Sequence, residues 1–195
     1  MTAVARAHRM LADPAAEWAS IVHEYGDETG DVEYVLTSYV ARLALIPAVF
    51  GFVGACIVGV VMPGRGVVRA SVFDGVFGAI LGYMLSCATV LVLGLLIAVL
   101  APVFGGRRNF NSAFKLAAYS YTPVWLAGIF LLAPGLRFLG FLGIYGVYLL
   151  WTGLTPMVKV PASSVPRCAA VIAISACVLI AATAVVQHVL FGLAF

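Results

Sequence analysis

No aspartate, glutamate or lysine falls in the middle of any of the long apolar blocks that dominate this sequence. A proton-coupled pump is hard to build without such a group, because intramembrane ionisable residues carry that kind of chemistry. Histidine is scarce as well: His8, His23 and His188 are the only three. Two lie near the N-terminus and one near the far end, so no Ser-His-Asp set is in prospect. His188 reads as a residue at a membrane interface rather than a proton relay. HExxH, GxSxG and P-loop patterns are missing. The four cysteines, Cys56, Cys87, Cys168 and Cys177, form no CxxC pair and lie in or beside apolar blocks. That spacing suits neither zinc nor a disulfide framework. No catalytic, metal-binding or cofactor-binding residue is expected, and the chain reads as a non-enzyme.

What is present is apolar length. Of 195 residues, 64% are hydrophobic and 10% charged, against about 25% charged in soluble domains. A bilayer is the expected solvent. The first block begins near Tyr39, too far from Met1 for the core of a cleavable signal peptide. Five spans are expected: roughly 39–62, 75–101, 116–133, 138–154, and one from Cys168 toward the C-terminus. The fold class is therefore all-α, a polytopic membrane helix bundle of five transmembrane helices (39–195) behind a cytosolic N-terminal segment (1–38). The third and fourth spans are short and joined by Pro134-Gly135-Leu136-Arg137, which predicts a hairpin. A re-entrant pair is the alternative.

Charge distribution sets the expected orientation. Seven of the eight acids lie between Asp13 and Glu33; the eighth is Asp74, at the head of the second span. The eleven bases are scattered at block ends, which argues against nucleic acid as a partner. With the N-terminus inside, the inner segments hold Arg6, Arg9, Arg42, Arg107, Arg108, Lys115, Lys159 and Arg167. The outer ones hold Arg65, Arg69 and Arg137. Eight against three places the N-terminus in the cytosol and the C-terminus outside.

Within the N-terminal segment, "ADPAAEWASIVHEY" reads as a short amphipathic helix. Asp13 is its N-cap, Pro14 its first residue, and Glu17 lies in its first turn. Trp18, Ile21, Val22 and Tyr25 form one apolar stripe. The stripe can face the membrane surface, with Trp18 at headgroup level, or pack on the protein's own loops. Gly26–Gly30 reads as an acidic break.

Two features stand out in the middle of the chain. "FGGRRNF" (Phe104–Phe110) puts Arg107 and Arg108, with Lys115 just after, on the cytosolic side. These three are candidate contacts for lipid phosphates. The third block opens with Tyr119, Ser120, Tyr121, Thr122 and Pro123. Proline clashes with the carbonyl four residues back, that of Tyr119, and cannot donate its own hydrogen bond. A kink is expected there, with Ser120 and Thr122 serving the freed carbonyls and Tyr119, Tyr121 and Trp125 at the water–lipid boundary. Small residues also recur at interval four: Gly51, Ala55, Gly59; Gly78, Gly82, Ser86; and Ala169, Ala173, Cys177, Ala181. Such stripes let helices approach closely in lipid.

Taken with their order, these stretches resemble the Yip-one domain family, the Ypt/Rab-interacting integral membrane proteins, in its prokaryotic branch. The resemblance rests on Asp13-Pro14 with Trp18 and Glu24, Gly105-Gly106, Tyr119-Ser120 with Thr122-Pro123, Pro134, and Tyr145 through Tyr148 to Gly153. It implies five spans, a cytosolic N-terminus and an adaptor rather than an enzyme. Eukaryotic members bind Rab-type GTPases. The segment expected ahead of the first span (1–38) is shorter than the extended cytosolic region used there, so GTPase binding is the least expected part of the implication.

The leading expectation is a non-enzymatic scaffold or adaptor in a prokaryotic cytoplasmic membrane, a setting suggested by the Ala/Gly/Val/Arg-rich composition. Its expected partners are the lipid bilayer and a membrane-protein partner or a second copy of itself. The alternative is a small transporter or lipid-handling, scramblase-like protein, suggested by the polar start of the third span beside a basic loop.

Overall fold

The computed structural model describes residues 3–25, 32–62 and 66–192. The Gly26–Gly30 break, Arg65, and the side chains of Arg137 and His188 lie outside the described residues. Helices α1 (Ala3–Ala12) and α2 (Pro14–Tyr25) come first. A long helix follows over Val32–Val58, formed by α3 (Val32–Val35), a π turn at Leu36–Val40, α4 (Ala41–Val53) and a second π turn at Gly54–Val58. Helix α5 (Val72–Leu100) ends in a 3-10 turn, Ala101–Phe104. Then come α6 (Phe110–Ser120), α7 (Thr122–Ala127) and two 3-10 stretches, Gly128–Leu132 and Pro134–Ile144. Helices α8 (Tyr145–Val158) and α9 (Val165–Gly192) complete the chain.

The chain is all-α but for a small hairpin. The first span was expected to run to Met62. The helix instead stops at Gly59, whose φ of 84° is left-handed and cheap only for glycine. Strands β1 (Val60–Met62) and β2 (Gly66–Val68) then pair antiparallel. Their β-branched residues around "PGRG" are a hairpin signal that a count of apolar residues passes over.

Among the described residues four helices are long and apolar enough to cross a membrane: Val32–Val58, Val72–Phe104, Phe138–Val158 and Val165–Gln187. The expected third span, 116–133, is not one continuous helix. It is divided between the end of α6, α7 and a 3-10 stretch, with the break at Tyr121. Successive passes alternate in direction. Tyr39, Pro47 and Gly54 meet Thr122, Gly128 and Leu131 in that order, so the broken segment runs alongside α4 in the same sense. Gly143, Gly146 and Gly153 meet Val124, Ser120 and Leu116, so α8 returns antiparallel to it.

The core lies at one end. Buried residues concentrate in α1, α2, the Val35–Ala44 stretch, the end of α5, α6, the end of α8 and the start of α9. At the other end the large apolar side chains point outward, among them Phe73 (81% exposed), Ile144 (68%) and Val185 (59%). A contiguous apolar belt of this kind needs lipid or protein against it. The N-terminal helices belong to the packed end: Ala7, Met10, Trp18 and Ile21 share one core with α6 and α8.

Candidate functional site

The helix break at Tyr121 follows from residue type. Pro123 sits in the first turn of α7, where its missing N–H costs nothing. The carbonyl of Tyr119 loses its helical partner, and the Thr122 hydroxyl donates to it at 2.7 Å. That hydroxyl has one proton, so at the 2.7 Å contact between Tyr39 Oη and Thr122 Oγ1 it is Tyr39 that donates. Tyr39 is carried by the π turn in the first long helix. π turns often mark places where a helix re-aims a side chain for a specific contact.

Around this joint stands a buried charged cluster. Arg6, from α1, is 4% exposed and Glu17, from α2, is 3% exposed. Arg6 Nη1 donates to the Tyr119 hydroxyl at 3.1 Å, and its guanidinium lies 5.6 Å from the centre of the Tyr119 ring. Arg6 Nε is 3.3 Å from Glu17 Oε1, and Arg6 Nη2 pairs with Glu24. Arg9 Nε reaches Glu17 Oε2 at 3.7 Å. Buried charges are tolerated only when paired in this manner.

Aromatic rings seal the cluster. Tyr119 is met edge-on by Tyr39 at 4.8 Å and by Trp18 at 6.2 Å. The Trp18 indole donates to Thr152 Oγ1 at 3.1 Å, and the Trp125 indole donates to Ser86 Oγ at 2.7 Å. Gly153 makes room for Trp18: a Cβ there would meet the Leu116 side chain and come within 2.8 Å of the indole.

One placement decides between the two readings left open for the α2 stripe, and a second corrects the sequence reading. Trp18 is 1% exposed, so it is at no headgroup, and Ile21 on the same stripe is fully buried. Tyr119, Tyr121 and Trp125, expected at the water–lipid boundary, are 1%, 8% and 1% exposed. The polar atoms of Trp18, Tyr119 and Trp125 each meet a protein partner, as bilayer burial requires, and the Tyr121 ring meets Trp125 edge-on at 5.2 Å.

Of the residues behind the family resemblance, Trp18, Glu24, Tyr119, Thr122 and Gly153 gather at this joint. Asp13 caps α2, accepting from the Ala16 N–H at 3.1 Å, and Pro14 is buried behind it. Pro123 is buried; Ser120, expected to serve a freed carbonyl, is instead buried with its hydroxyl unpaired, and Thr122 alone does that work. Tyr145 donates to the Leu11 carbonyl at 3.2 Å, and its ring lies tilted against that of the exposed Tyr148. Gly105 and Gly106 lie apart, turning the chain after α5. Gly105 has φ 83°, and Gly106 packs where a Cβ would sit 2.8 Å from the Val158 carbonyl. Pro134 starts the second 3-10 stretch, also away from the joint.

The basic trio is split. Arg107 and Arg108 are exposed, whereas Lys115 is 3% exposed on the inner face of α6. Burial pulls the Lys115 ammonium below the usual lysine range, and the nearby Glu24 carboxylate opposes that. Lys115 is therefore turned away from any lipid phosphate that Arg107 and Arg108 meet.

Arg6, Glu17, Tyr39 and Ser86 are members of the site that the sequence reading named only in other roles. Ala3, Ala7 and Met10 at helical spacing beside Arg6 are the signal for α1; they read as background in so apolar a chain. Chemically, every charge in the cluster faces an opposite charge, and no base stands next to a nucleophile. Among the described residues no three His, Cys, Asp or Glu side chains are placed to share a metal.

No solved structure matches the chain. It is similar to the inner membrane protein YohC of Escherichia coli strain K12, 26% identical over 137 residues, which is 68% of this chain and 70% of that protein. The same figures hold for inner membrane protein YohC of Escherichia coli O6:H1. The Yip1 domain pattern matches residues 9–187, a stretch that takes in the capped α2 helix, the joint and all four long apolar helices. The chain thus belongs to the Yip1 domain family and is a multi-pass integral membrane protein.

Proposed function

We propose that this protein is a non-enzymatic membrane scaffold or adaptor, with its N-terminal helices clasped onto the bundle at the cytosolic face. One observation carries the reading. The side chains with most capacity for chemistry, Arg6, Glu17, Glu24, Tyr119 and Thr122, engage one another inside the protein. They fix a surface; they do not line a reaction cleft. Five passes are part of the same reading, the broken segment being the third. Alternating passes then put the N-terminus in the cytosol and the C-terminus outside a prokaryotic cytoplasmic membrane, as the lysine and arginine count favours. The partner is another membrane protein or a second copy.

The second reading, a small transporter or lipid-handling protein, is favoured by a cavity of about 520 Å³ between α4, α5, the α7 segment and α9. Purified protein in liposomes separates the two. Scaffolding predicts neither solute flux nor lipid scrambling above protein-free vesicles. Activity abolished by Tyr119→Phe or Arg107→Ala would overturn it.

A further inference from the structure

That cavity has a graded chemistry. Its wall is mostly small and apolar, with Pro47, Gly51, Gly78 and Gly128 among its lining residues. Polar side chains stand at its two ends, and the Gln187 amide reaches its middle, where a Cβ on Gly82 would come within 3.2 Å of Nε2. At the inner end the Ser86 hydroxyl already accepts from Trp125 at 2.7 Å, and the Thr89 hydroxyl is turned to the Leu85 carbonyl at 2.7 Å. At the outer end stands Asp74, the one charged side chain among the lining residues. The Ser71 hydroxyl donates to Asp74 Oδ2 at 2.6 Å and accepts from the Asp74 N–H at 3.1 Å, which holds the carboxylate there.

Position and shape narrow the occupant. The cavity lies between segments of the long apolar helices. Gly140, Ile180 and Ala184 line it and are also exposed, so it reaches the surface beside the apolar belt. From Asp74 to Thr89 is 15 residues of α5, about 22 Å at the α-helical rise. That is the length of one extended phospholipid acyl chain. Its volume lies within the range of small-molecule sites, roughly 300–1,000 Å³. Ordered water needs two to four polar partners per molecule, and the middle of the cavity offers little beyond the Gln187 amide. A carboxylate at the mouth repels an anionic headgroup and attracts an ammonium.

We infer that this cavity holds one acyl chain of a bilayer phospholipid, entered from the apolar belt. The headgroup lies at Asp74 and is of the amine-bearing zwitterionic class. The site requires only that the chain sit in a bilayer, and stands apart from the scaffold reading.

The test uses full-length protein in phosphatidylcholine nanodiscs. These carry a trace of phosphatidylethanolamine with a diazirine at the far end of one acyl chain. After photolysis, crosslinks should concentrate at the inner end of the cavity, on Leu85, Tyr121 and Val124. Met84, which is 62% exposed on the same turn as Leu85, serves as the bulk-lipid control. A Cβ at Gly51 would meet only Leu131 Cδ1, at 3.7 Å. Gly51→Ala should therefore keep the labelling within about twofold. Gly51→Leu should cut cavity labelling at least fivefold and leave Met84 unchanged. Ala48→Leu is the second plug should Gly51→Leu misfold. Excess unlabelled phosphatidylethanolamine should compete, and phosphatidylglycerol should not. Cavity labelling no stronger than at Met84, or undiminished in a folded plugged variant, would overturn the site. Equal competition by phosphatidylglycerol would overturn the role given to Asp74.

Discussion

Arg6 and Tyr119, 113 residues apart, are joined by a buried 3.1 Å hydrogen bond from guanidinium to phenol. The bond ties the first helix of the chain to the break in its third apolar segment. Glu17 shares that guanidinium, so all three groups stand or fall together. Removing one partner of a buried ion pair strands the other and costs about 3–5 kcal/mol, whereas an apolar replacement of both is often tolerated. Arg6→Met and Glu17→Met should each lower the unfolding midpoint in detergent. The double variant should recover at least half of the summed loss; strict additivity of the two would contradict the coupling.

Gly153 offers a case where two effects oppose. Alanine in a helix is favoured over glycine by about 1 kcal/mol. The Cβ would, however, press on Trp18 at 2.8 Å, and overpacking of that kind costs about 1–3 kcal/mol. Gly153→Ala should therefore destabilise on balance, and shift the Trp18 fluorescence. In a Trp18→Ala background the same change should become neutral or stabilising, as measured by thermal unfolding.

At the break, Thr122→Val keeps the shape but removes the hydroxyl that serves both the Tyr119 carbonyl and the Tyr39 hydroxyl. A loss of about 1–3 kcal/mol is expected, and Thr122→Ser should restore most of it. Ser120→Ala is the contrast. Its hydroxyl is buried and unpaired, so its removal should be neutral or slightly stabilising in the same unfolding assay.

Orientation is open to cysteine accessibility. On a background lacking the native cysteines, Ala12→Cys should react with an impermeant maleimide only from the cytosolic side, and Ala194→Cys only from outside. Reaction of both from one side would mean an even number of crossings.

Much of this was legible in the sequence, and what was not has physical causes. The Asp13 cap and the break before Pro123 follow from local backbone chemistry, which the sequence states directly. Four of the apolar blocks are long helices for the same reason, with ends shifted by a few residues. The π turn at Tyr39 was hidden because its cause is a distant partner, Thr122. Trp18 could be placed on a stripe, but whether the stripe meets lipid or protein depends on Gly153, 135 residues away. Arg6 and Lys115 read as orientation charges because composition cannot tell a snorkelling cation from a buried one. Their burial is decided by Glu17 and Glu24, which read only as a first-turn acid and a residue of the family pattern.

The central claim is that α1 and α2 are a docked part of the membrane bundle, clasped by the Arg6 cluster. Hydrogen–deuterium exchange in nanodiscs tests it most directly. In the native protein the amides of α1 and α2 should exchange as slowly as those of α6, and Arg6→Met should speed α1 and α2 while leaving α9 unchanged. Rapid exchange throughout α1 and α2 in the native protein, with α6 protected, would contradict it.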